Sequence, residues 1–281
     1  MLARRIAELG PNISPAIMQE MREGFGPRLL EAPAGMRIER DVAYGPHPRH
    51  RLNLFLPAPE DASKAGDIIV FVHGGGFVSG DKDEAPGRFY DNVGRWAARN
   101  GRACATMNYR LAPDNPWPAG RDDVALALGW IADNSAAHGG DAARIFVIGH
   151  SAGAAHVAAA MANPETASRV AGCICVSGLY DLSIMPVSTA YFGDDAALYP
   201  ARSPISDLAR TDIPLMLVAA EYDPPFILKN WLSLQQELLS RGSRFPRVFQ
   251  GRCHNHFSIL FHMNTSDTAM SDDILEFMES S

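Results

Sequence analysis

The stretch that decides the fold reads IFVIGHSAGAAHVAAAM and spans residues 145–161. Its first four residues are apolar, and such a run is typical of a strand that is covered on both faces. The small residues from Ala152 to Met161 predict a helix that begins directly after the strand. Between the two, Gly149 to Gly153 fits the pattern G-x-S-x-G, in which a serine sits on a sharp strand-to-helix turn. Ser151 is therefore the candidate nucleophile.

Strands and helices alternate on both sides of this stretch, which predicts an α/β fold. The predicted strands are Arg40–Tyr44, Arg51–Leu56, Asp67–His73, Ala103–Tyr109, Arg144–Gly149, Val170–Val176, Ile213–Ala219 and Arg247–Gln250. The predicted helices are Phe89–Asn100, Asp122–Ala137, Ala152–Met161, Phe226–Leu239 and Asp272–Met278. The first two strands are separated by turn-rich residues and predict an antiparallel hairpin. The others predict a mostly parallel sheet with helices on both faces, and a single domain over residues 1–281 is the simplest account.

Two segments fall outside the alternation, residues 1–38 and residues 183–208. In the first, Ser14-Pro15 precedes apolar residues at helical spacing, which indicates a capped amphipathic helix with proline at its first position. The second contains three prolines and little periodicity. Both segments have two interpretations: they form a small cap over the site, or they are ordinary surface coverage.

A glycine-rich stretch follows the predicted strand that ends at His73. Three consecutive glycines, Gly74 to Gly76, cost backbone entropy, so they indicate unusual backbone angles or a close approach. In a hydrolase, such a loop provides backbone N–H groups that point at the developing oxyanion. The patterns of phosphate-binding loops do not match, and a simple tight turn is the remaining alternative. The N–H of Ala152, directly after the nucleophile, is the expected further donor.

A serine needs a general base, and the base needs a carboxylate that orients it. The chain order in this kind of fold is serine, acid, histidine. A buried strand runs into Glu221-Tyr222-Asp223 and ends before two prolines. Asp223 is the preferred acid and Glu221 the alternative. Asp223 has a second interpretation as a cap for the helix that begins at Phe226.

Two histidines, His254 and His256, precede the last helices and compete for the role of base. His256 is preferred because it adjoins an apolar run, and His254 stays open as the alternative. We expect His73 to hold the glycine stretch in shape and His150 to pack beside the nucleophile. His138 is expected at a helix end.

Composition excludes several classes of protein. The chain has 281 residues, 47% of them hydrophobic, with a formal net charge of −7. It has no basic run that would follow a phosphate backbone, so we expect no nucleic acid partner. It has no apolar run long enough for a membrane span and no signal-peptide pattern at the start. The sequence is compatible with a homodimer.

The cysteines match no zinc spacing, and we expect all of them to be buried free thiols that pack as small hydrophobes. They are Cys104, Cys173, Cys175 and Cys253. Free thiols fit a reducing cytoplasm better than a disulfide framework does, so cytoplasmic localisation is predicted.

Together these motifs resemble the hormone-sensitive-lipase-like branch of the α/β-hydrolases, which includes small bacterial carboxylesterases and feruloyl-esterase-like and arylformamidase relatives. The glycine stretch, the segment Tyr109-Arg110-Leu111-Ala112-Pro113 with Asp123, the G-x-S-x-G turn and Asp223-Pro224 carry the resemblance. It implies an α/β-hydrolase fold and the hydrolysis of acyl esters through a covalent acyl-enzyme, and it implies that Gly75 and Gly76 donate to the oxyanion. In that branch the histidine that acts as general base is usually followed by Gly-Phe. Here Phe257 directly follows His256, which is similar to the relatives in which histidine and phenylalanine adjoin.

The sequence therefore predicts a serine carboxylesterase that hydrolyses small to medium acyl esters through an acyl-enzyme. Ser151 attacks, His256 takes its proton, Asp223 holds the imidazole, and the glycine stretch with Ala152 binds the oxyanion. No metal or organic cofactor is implied. An arylformamidase or another amidase would use the same triad and is the first alternative. A non-catalytic ligand-binding protein on a hydrolase scaffold is the second.

Overall fold

A computed structural model of the chain describes residues 2–62, 66–84 and 89–281, and its centre is one eight-stranded sheet. The strands are β1 (Arg37–Ala43), β2 (Arg51–Leu56), β3 (Ile68–Val72), β4 (Ala103–Met107), β5 (Ile145–His150), β6 (Gly172–Val176), β7 (Leu215–Tyr222) and β8 (Arg247–Asn255). Their order across the sheet is β1-β2-β4-β3-β5-β6-β7-β8. From β4 to β8 every neighbouring pair is parallel. The predicted mostly parallel sheet is thus confirmed.

The hairpin predicted at the start of the sheet is also present. Strand β2 pairs antiparallel with β1 on one side and with β4 on the other. The register of β1 shifts between Glu39 and Val42, which marks a bulge in this edge strand.

Helices cover both faces of the sheet. They are α1 (Leu2–Leu9), α2 (Pro15–Phe25), α3 (Asp91–Arg99), α4 (Ala119–Asn134), α5 (Ala152–Ala160), α6 (Pro164–Ala167), α7 (Thr189–Phe192), α8 (Tyr199–Arg202), α9 (Ile205–Leu208), α10 (Pro225–Arg241), α11 (Ser258–Phe261) and α12 (Ala269–Glu279). Short 3₁₀ turns span Gly26–Arg28, Ser135–His138, Leu182–Ile184 and Ala196–Leu198. Helices α4, α5 and α10 pack on one face, and α1, α2, α3, α11 and α12 pack on the other. In the described ranges, no helix combines the length and the apolar character that crossing a bilayer requires.

The apolar run of β3 shows how the sequence builds these two layers. Alternate side chains of a strand point to opposite faces. Ile69 and Phe71 accordingly join the core under α3 and α12, while Val70 and Val72 join the core under α4 and α5. All of them are fully buried. Burying such a side chain contributes about 1.5–3 kcal/mol, so both faces of the central strands stabilise the fold.

The structure differs from the sequence prediction at several points. Helix α1 was not predicted, because its eight residues carry no capping signal and bury only Ile6. Helix α4 begins at Ala119, directly after Pro118, instead of at Asp122. Strand β8 runs on to Asn255, five residues beyond its predicted end at Gln250.

Three of the four cysteines are buried free thiols as predicted, but Cys253 is exposed, so the prediction was wrong for this residue. Cys253 lies on β8, which is the last strand in the sheet that the described residues form. It has a left-handed φ of 61°, and its N–H donates to the carboxylate of Glu221 over 2.6 Å. The local bend of the edge strand therefore leaves the thiol in solvent.

Candidate active site

Four chain segments that the sequence analysis selected meet at one edge of the sheet. Ser151 follows β5, Asp223 follows β7, and His256 follows β8. The glycine stretch follows β3. Because these strands are parallel, their carboxyl ends lie at the same edge, which is where open α/β sheets place their ligand sites.

Ser151 has backbone angles that non-glycine residues rarely adopt, φ 54° and ψ −119°. Its two flanking glycines permit this tight turn. A Cβ on Gly149 would lie 2.6 Å from the Cα of Ala154, and a Cβ on Gly153 would lie 2.2 Å from the carbonyl oxygen of Val72. The strained turn lifts the Ser151 side chain out of the sheet at the start of helix α5, where backbone N–H groups lack intrahelical partners.

The side chains of Ser151, His256 and Asp223 form a continuous hydrogen-bonded chain. Oγ of Ser151 lies 3.0 Å from Nε2 of His256, and Nδ1 of His256 lies 2.8 Å from Oδ1 of Asp223. The carboxylate accepts from the Nδ1–H, which leaves a lone pair on Nε2 for the serine proton. Both His256 and Asp223 are buried.

The other carboxylate oxygen of Asp223 is held by two further donors. Ser177 donates its hydroxyl to Oδ2 over 2.6 Å, and the N–H of Ala220 donates to the same oxygen over 2.7 Å. Ser177 is fully buried and directly follows β6, the strand between those that carry the serine and the acid. Ser177 was not predicted from the sequence. Its position after an apolar strand, next to Gly178, was the available signal.

The two alternatives for base and acid lie elsewhere. His254 points to Ser258 and Asp267, with Nδ1 3.1 Å from Oγ of Ser258 and Nε2 3.4 Å from Oδ2 of Asp267. Glu221 is exposed and accepts from the N–H of Cys253. Neither is part of the hydrogen-bonded chain that ends at Ser151.

The glycine stretch lies against the nucleophile. A Cβ on Gly74 would lie 3.1 Å from the Cβ of Ser151. Gly75 and Gly76 have φ of 130° and 60°, and a Cβ on Gly75 would lie 2.0 Å from the carbonyl oxygen of Ser79. These residues need glycine for their backbone conformation. Gly74, Gly75 and Gly76 all line the same cavity as Ser151.

The motif at residues 109–123 contacts His73, the residue that precedes the glycine stretch. The hydroxyl of Tyr109 donates to the carbonyl oxygen of His73 over 3.0 Å, and the two rings stack with centroids 4.4 Å apart. Arg110 binds the buried carboxylate of Asp123 through both its side chain and its backbone N–H. His50 contacts the same carboxylate at 3.0 Å. These bonds fix the loop that carries Tyr109.

Two more histidines next to the site have supporting contacts. Burial lowers the pKa of His73 to about 4, and its Nδ1 lies 2.5 Å from the carbonyl oxygen of Gly74. Burial, and then the neighbouring His256, lowers the pKa of His150 well below its ordinary value. Nε2 of His150 donates to the carbonyl oxygen of His256 over 2.9 Å, and the rings lie 4.8 Å apart. His150 therefore packs beside the nucleophile, as expected.

A cavity of about 350 Å³ opens beside Ser151. Its wall is mostly apolar, and the side chains that form this part are Ile13, Met18, Phe77, Leu179, Met185, Pro186, Phe226, Ile227 and Phe257. Its polar part includes Glu84 and Tyr90, and Glu84 pairs with Arg22 of helix α2. Both segments outside the alternation contribute to this wall, residues 1–38 through Ile13 and Met18 and residues 183–208 through Met185 and Pro186.

The sheet order, the strained turn after β5 and the position of the site define the α/β-hydrolase class of fold. The chain belongs to the family described as alpha/beta hydrolase fold, which matches residues 69–210. This match includes the glycine stretch and the G-x-S-x-G turn.

Curated relatives match parts of the chain. The carboxylesterase NlhH of Mycobacterium tuberculosis is 43% identical over 96 residues, which cover 34% of this chain and 28% of NlhH. Probable carboxylesterase 6 of Arabidopsis thaliana is 34% identical over 152 residues, 50% of this chain and 45% of the relative. The chain thus spans less than half the length of these relatives.

The fold is also similar to that of solved esterases. Esterase B from Lactobacillus rhamnosis, solved with a tributyrin phosphonate, superposes with a TM-score of 0.76. The alignment covers 94% of this chain and 92% of esterase B at 20% sequence identity. At this identity the likeness concerns the fold.

Proposed function

We propose that this protein is a serine carboxylesterase that hydrolyses small to medium acyl esters. The observation that carries the proposal is the continuous hydrogen-bonded chain from Ser151 through His256 to Asp223, built on a strained turn. The partial matches to NlhH and to probable carboxylesterase 6 support the same activity.

The geometry suggests the steps. The hydroxyl of Ser151 attacks the ester carbonyl carbon while Nε2 of His256 takes the hydroxyl proton, and Asp223 stabilises the imidazolium that forms. The backbone N–H groups of Gly75, Gly76 and Ala152 stabilise the tetrahedral oxyanion. His256 then returns the proton to the leaving alkoxide, and an acyl-enzyme remains on Ser151. Water, activated by the same imidazole, hydrolyses the acyl-enzyme.

The cavity favours modest substrates. Ligand pockets commonly measure about 300–1,000 Å³, so about 350 Å³ lies near the lower end of the range. Its apolar wall suits an acyl chain or an aromatic alcohol. Residues 1–38 and 183–208 form the cap in this proposal, since both contribute side chains to the wall.

The test is the hydrolysis of p-nitrophenyl acetate and butyrate by Ser151→Ala. The variant is expected to lose turnover by at least about 10⁴-fold while keeping the circular dichroism spectrum of the wild type. Ser240→Ala, which changes an exposed serine on helix α10, is the matched control and should keep full activity. Wild-type turnover by Ser151→Ala would overturn the proposal.

A pair of substrates separates the esterase from the amidase. Phenyl formate and formanilide share the acyl group and differ in the leaving group. We expect kcat/KM for the ester to exceed that for the anilide. The reverse order would identify an amidase that uses the same residues. Labelling of Ser151 by a fluorophosphonate would distinguish both enzymes from a non-catalytic binding protein.

The cytoplasm is the location that we propose, because the cysteines are free thiols. Fractionation of the native host followed by immunodetection tests this location.

A further inference from the structure

A cluster of two histidines and an aspartate lies behind the loop that carries His256. His254 is the second-to-last residue of strand β8, His262 directly follows helix α11, and Asp267 lies in the loop before helix α12. One ligand atom from each residue lies within 4.8 Å of the others. The imidazole rings stack with centroids 4.2 Å apart, and Nε2 of His254 lies 3.4 Å from Oδ2 of Asp267. Other residues line the cavity beside Ser151.

Ser258 contacts Nδ1 of both imidazole rings. Nδ1 of His262 lies 3.0 Å from the carbonyl oxygen of Ser258. A carbonyl only accepts, so the proton of the neutral His262 ring is on Nδ1 and the lone pair is on Nε2. Nδ1 of His254 lies 3.1 Å from Oγ of Ser258, which can accept from it while donating to the carbonyl oxygen of Asn255 at 3.4 Å.

This arrangement matches the surroundings of metal-binding histidines. A histidine that binds a metal through one nitrogen almost always donates the other N–H to an oxygen acceptor, which fixes the tautomer and the ring orientation. Here one residue, Ser258, provides both acceptors. Both rings are buried, and Nε2 of His254 already lies beside Oδ2 of Asp267, which is half exposed at 53% and can move toward a ligand.

We propose that His254, His262 and Asp267 bind a divalent transition metal ion, with Zn²⁺ as the best fit. Zinc takes nitrogen and carboxylate ligands at about 2.0–2.2 Å in a tetrahedral arrangement, which places neighbouring ligand atoms about 3.3–3.5 Å apart. The separation between His254 and Asp267 already has this value. Water completes the coordination.

The bound ion would stabilise the loop of the proposed base. His254 and Ser258 stand two residues before and two residues after His256, and the ion would link this loop to the segment before helix α12. This inference rests on the geometry of the cluster alone, so it does not depend on the proposed esterase activity.

The primary test is Zn²⁺ titration by isothermal calorimetry on the full chain, freed of metal by a chelator and without a histidine tag. We expect one ion per chain at this site and a rise in Tm of about 4–5 °C at a Zn²⁺ concentration 100-fold above Kd. Asp267→Ala should weaken binding at least about tenfold, because it removes one of the three ligands. Mg²⁺ should not raise Tm, since it prefers an all-oxygen site.

Asp133→Asn, which changes an exposed aspartate on helix α4, is the matched control and should bind Zn²⁺ like the wild type. Wild-type affinity in Asp267→Ala, or no Zn²⁺ binding by the wild type, would overturn the proposal. Co²⁺ provides a second readout that does not depend on the folding of a variant. Intense visible absorption bands of a four- or five-coordinate ion would support the site, and the weak bands of the hexaaqua ion would contradict it.

Discussion

Replacing Ser151 by glycine should give a more stable protein than replacing it by alanine. Both substitutions remove the hydroxyl that contacts His256, so that loss is common to the two variants. Neither removes a helix cap, because the side chain of Ser151 makes no capping hydrogen bond to helix α5. The difference in the free energy of unfolding between the two variants therefore reports the backbone strain at residue 151.

The magnitude follows from the dihedral angles. At φ 54° and ψ −119°, an L-residue stores about 1–3 kcal/mol of strain. Glycine has no Cβ, so it adopts this conformation as readily as its mirror image, φ −54° and ψ 119°, which is an ordinary extended conformation. The extra freedom of glycine in the unfolded chain offsets about 0.4–1 kcal/mol. The glycine variant should be more stable by about 1 kcal/mol, or about 2 °C in Tm for a chain of this length.

Urea unfolding at 25 °C, followed by circular dichroism, measures the difference, and calorimetry checks Tm. The two variants should share one m-value, so that the midpoints report the free energy of unfolding directly. A glycine variant that is equal to or less stable than the alanine variant would refute the argument. It would mean that a Cβ at residue 151 adds no strain to the turn after β5.

Three further predictions concern other parts of the molecule. Gly153→Ala should destabilise the fold by about 1–3 kcal/mol, because its Cβ would meet the carbonyl oxygen of Val72 at 2.2 Å. Gly129→Ala, with open space around it, should not destabilise the fold. Under native conditions Ellman's reagent should titrate one thiol, that of Cys253, and in denaturant four. Burial lowers the pKa of His156 from 6.5 to about 3 in the folded state. Its contribution to stability is therefore full above about pH 6.5 and is lost as the pH falls toward 3, at about 1.4 kcal/mol per pH unit, a slope that His156→Gln should remove.

Each of these has a clear contrary result. If Gly153→Ala and Gly129→Ala unfold with equal free energies, helix α5 and strand β3 are not in contact through residue 153. More than one thiol titrated in the native state would mean that the buried cysteines are accessible. An unchanged pH slope in His156→Gln would mean that other groups account for the acid sensitivity.

The sequence predicted those parts of the fold that depend on local patterns. Continuous apolar runs such as residues 68–72 identified the central strands, because a strand covered on both faces cannot contain charge. The turn at Ser151 was predictable because the reaction requires a nucleophile at residue 151 and the tight backbone requires glycine at residues 149 and 153. Asp223 and His256 were proposed as partners from chain order, from the buried strand that precedes Asp223 and from the apolar run that follows His256, and their side chains lie in hydrogen-bond contact.

Features that depend on tertiary contacts were not predictable in the same way. Ser177 holds Asp223 across 46 residues of chain, and its position after an apolar strand does not identify the carboxylate to which it donates. The choice between His254 and His256 required the position of the acid. The exposure of Cys253 depends on β8 being the edge of the sheet, which is a property of the strand order and not of the residues around the cysteine.

Finally, the proposed reactive serine and its base are 105 residues apart in the chain, and the base and its carboxylate are 33 apart. The unfolded polypeptide cannot bring them together, so we expect covalent capture by a fluorophosphonate to occur only on correctly assembled molecules. The reagent would then count native copies in a crude extract or during refolding, with no need for a substrate. Any destabilised variant described above that keeps Ser151 can be ranked in living cells by the same readout.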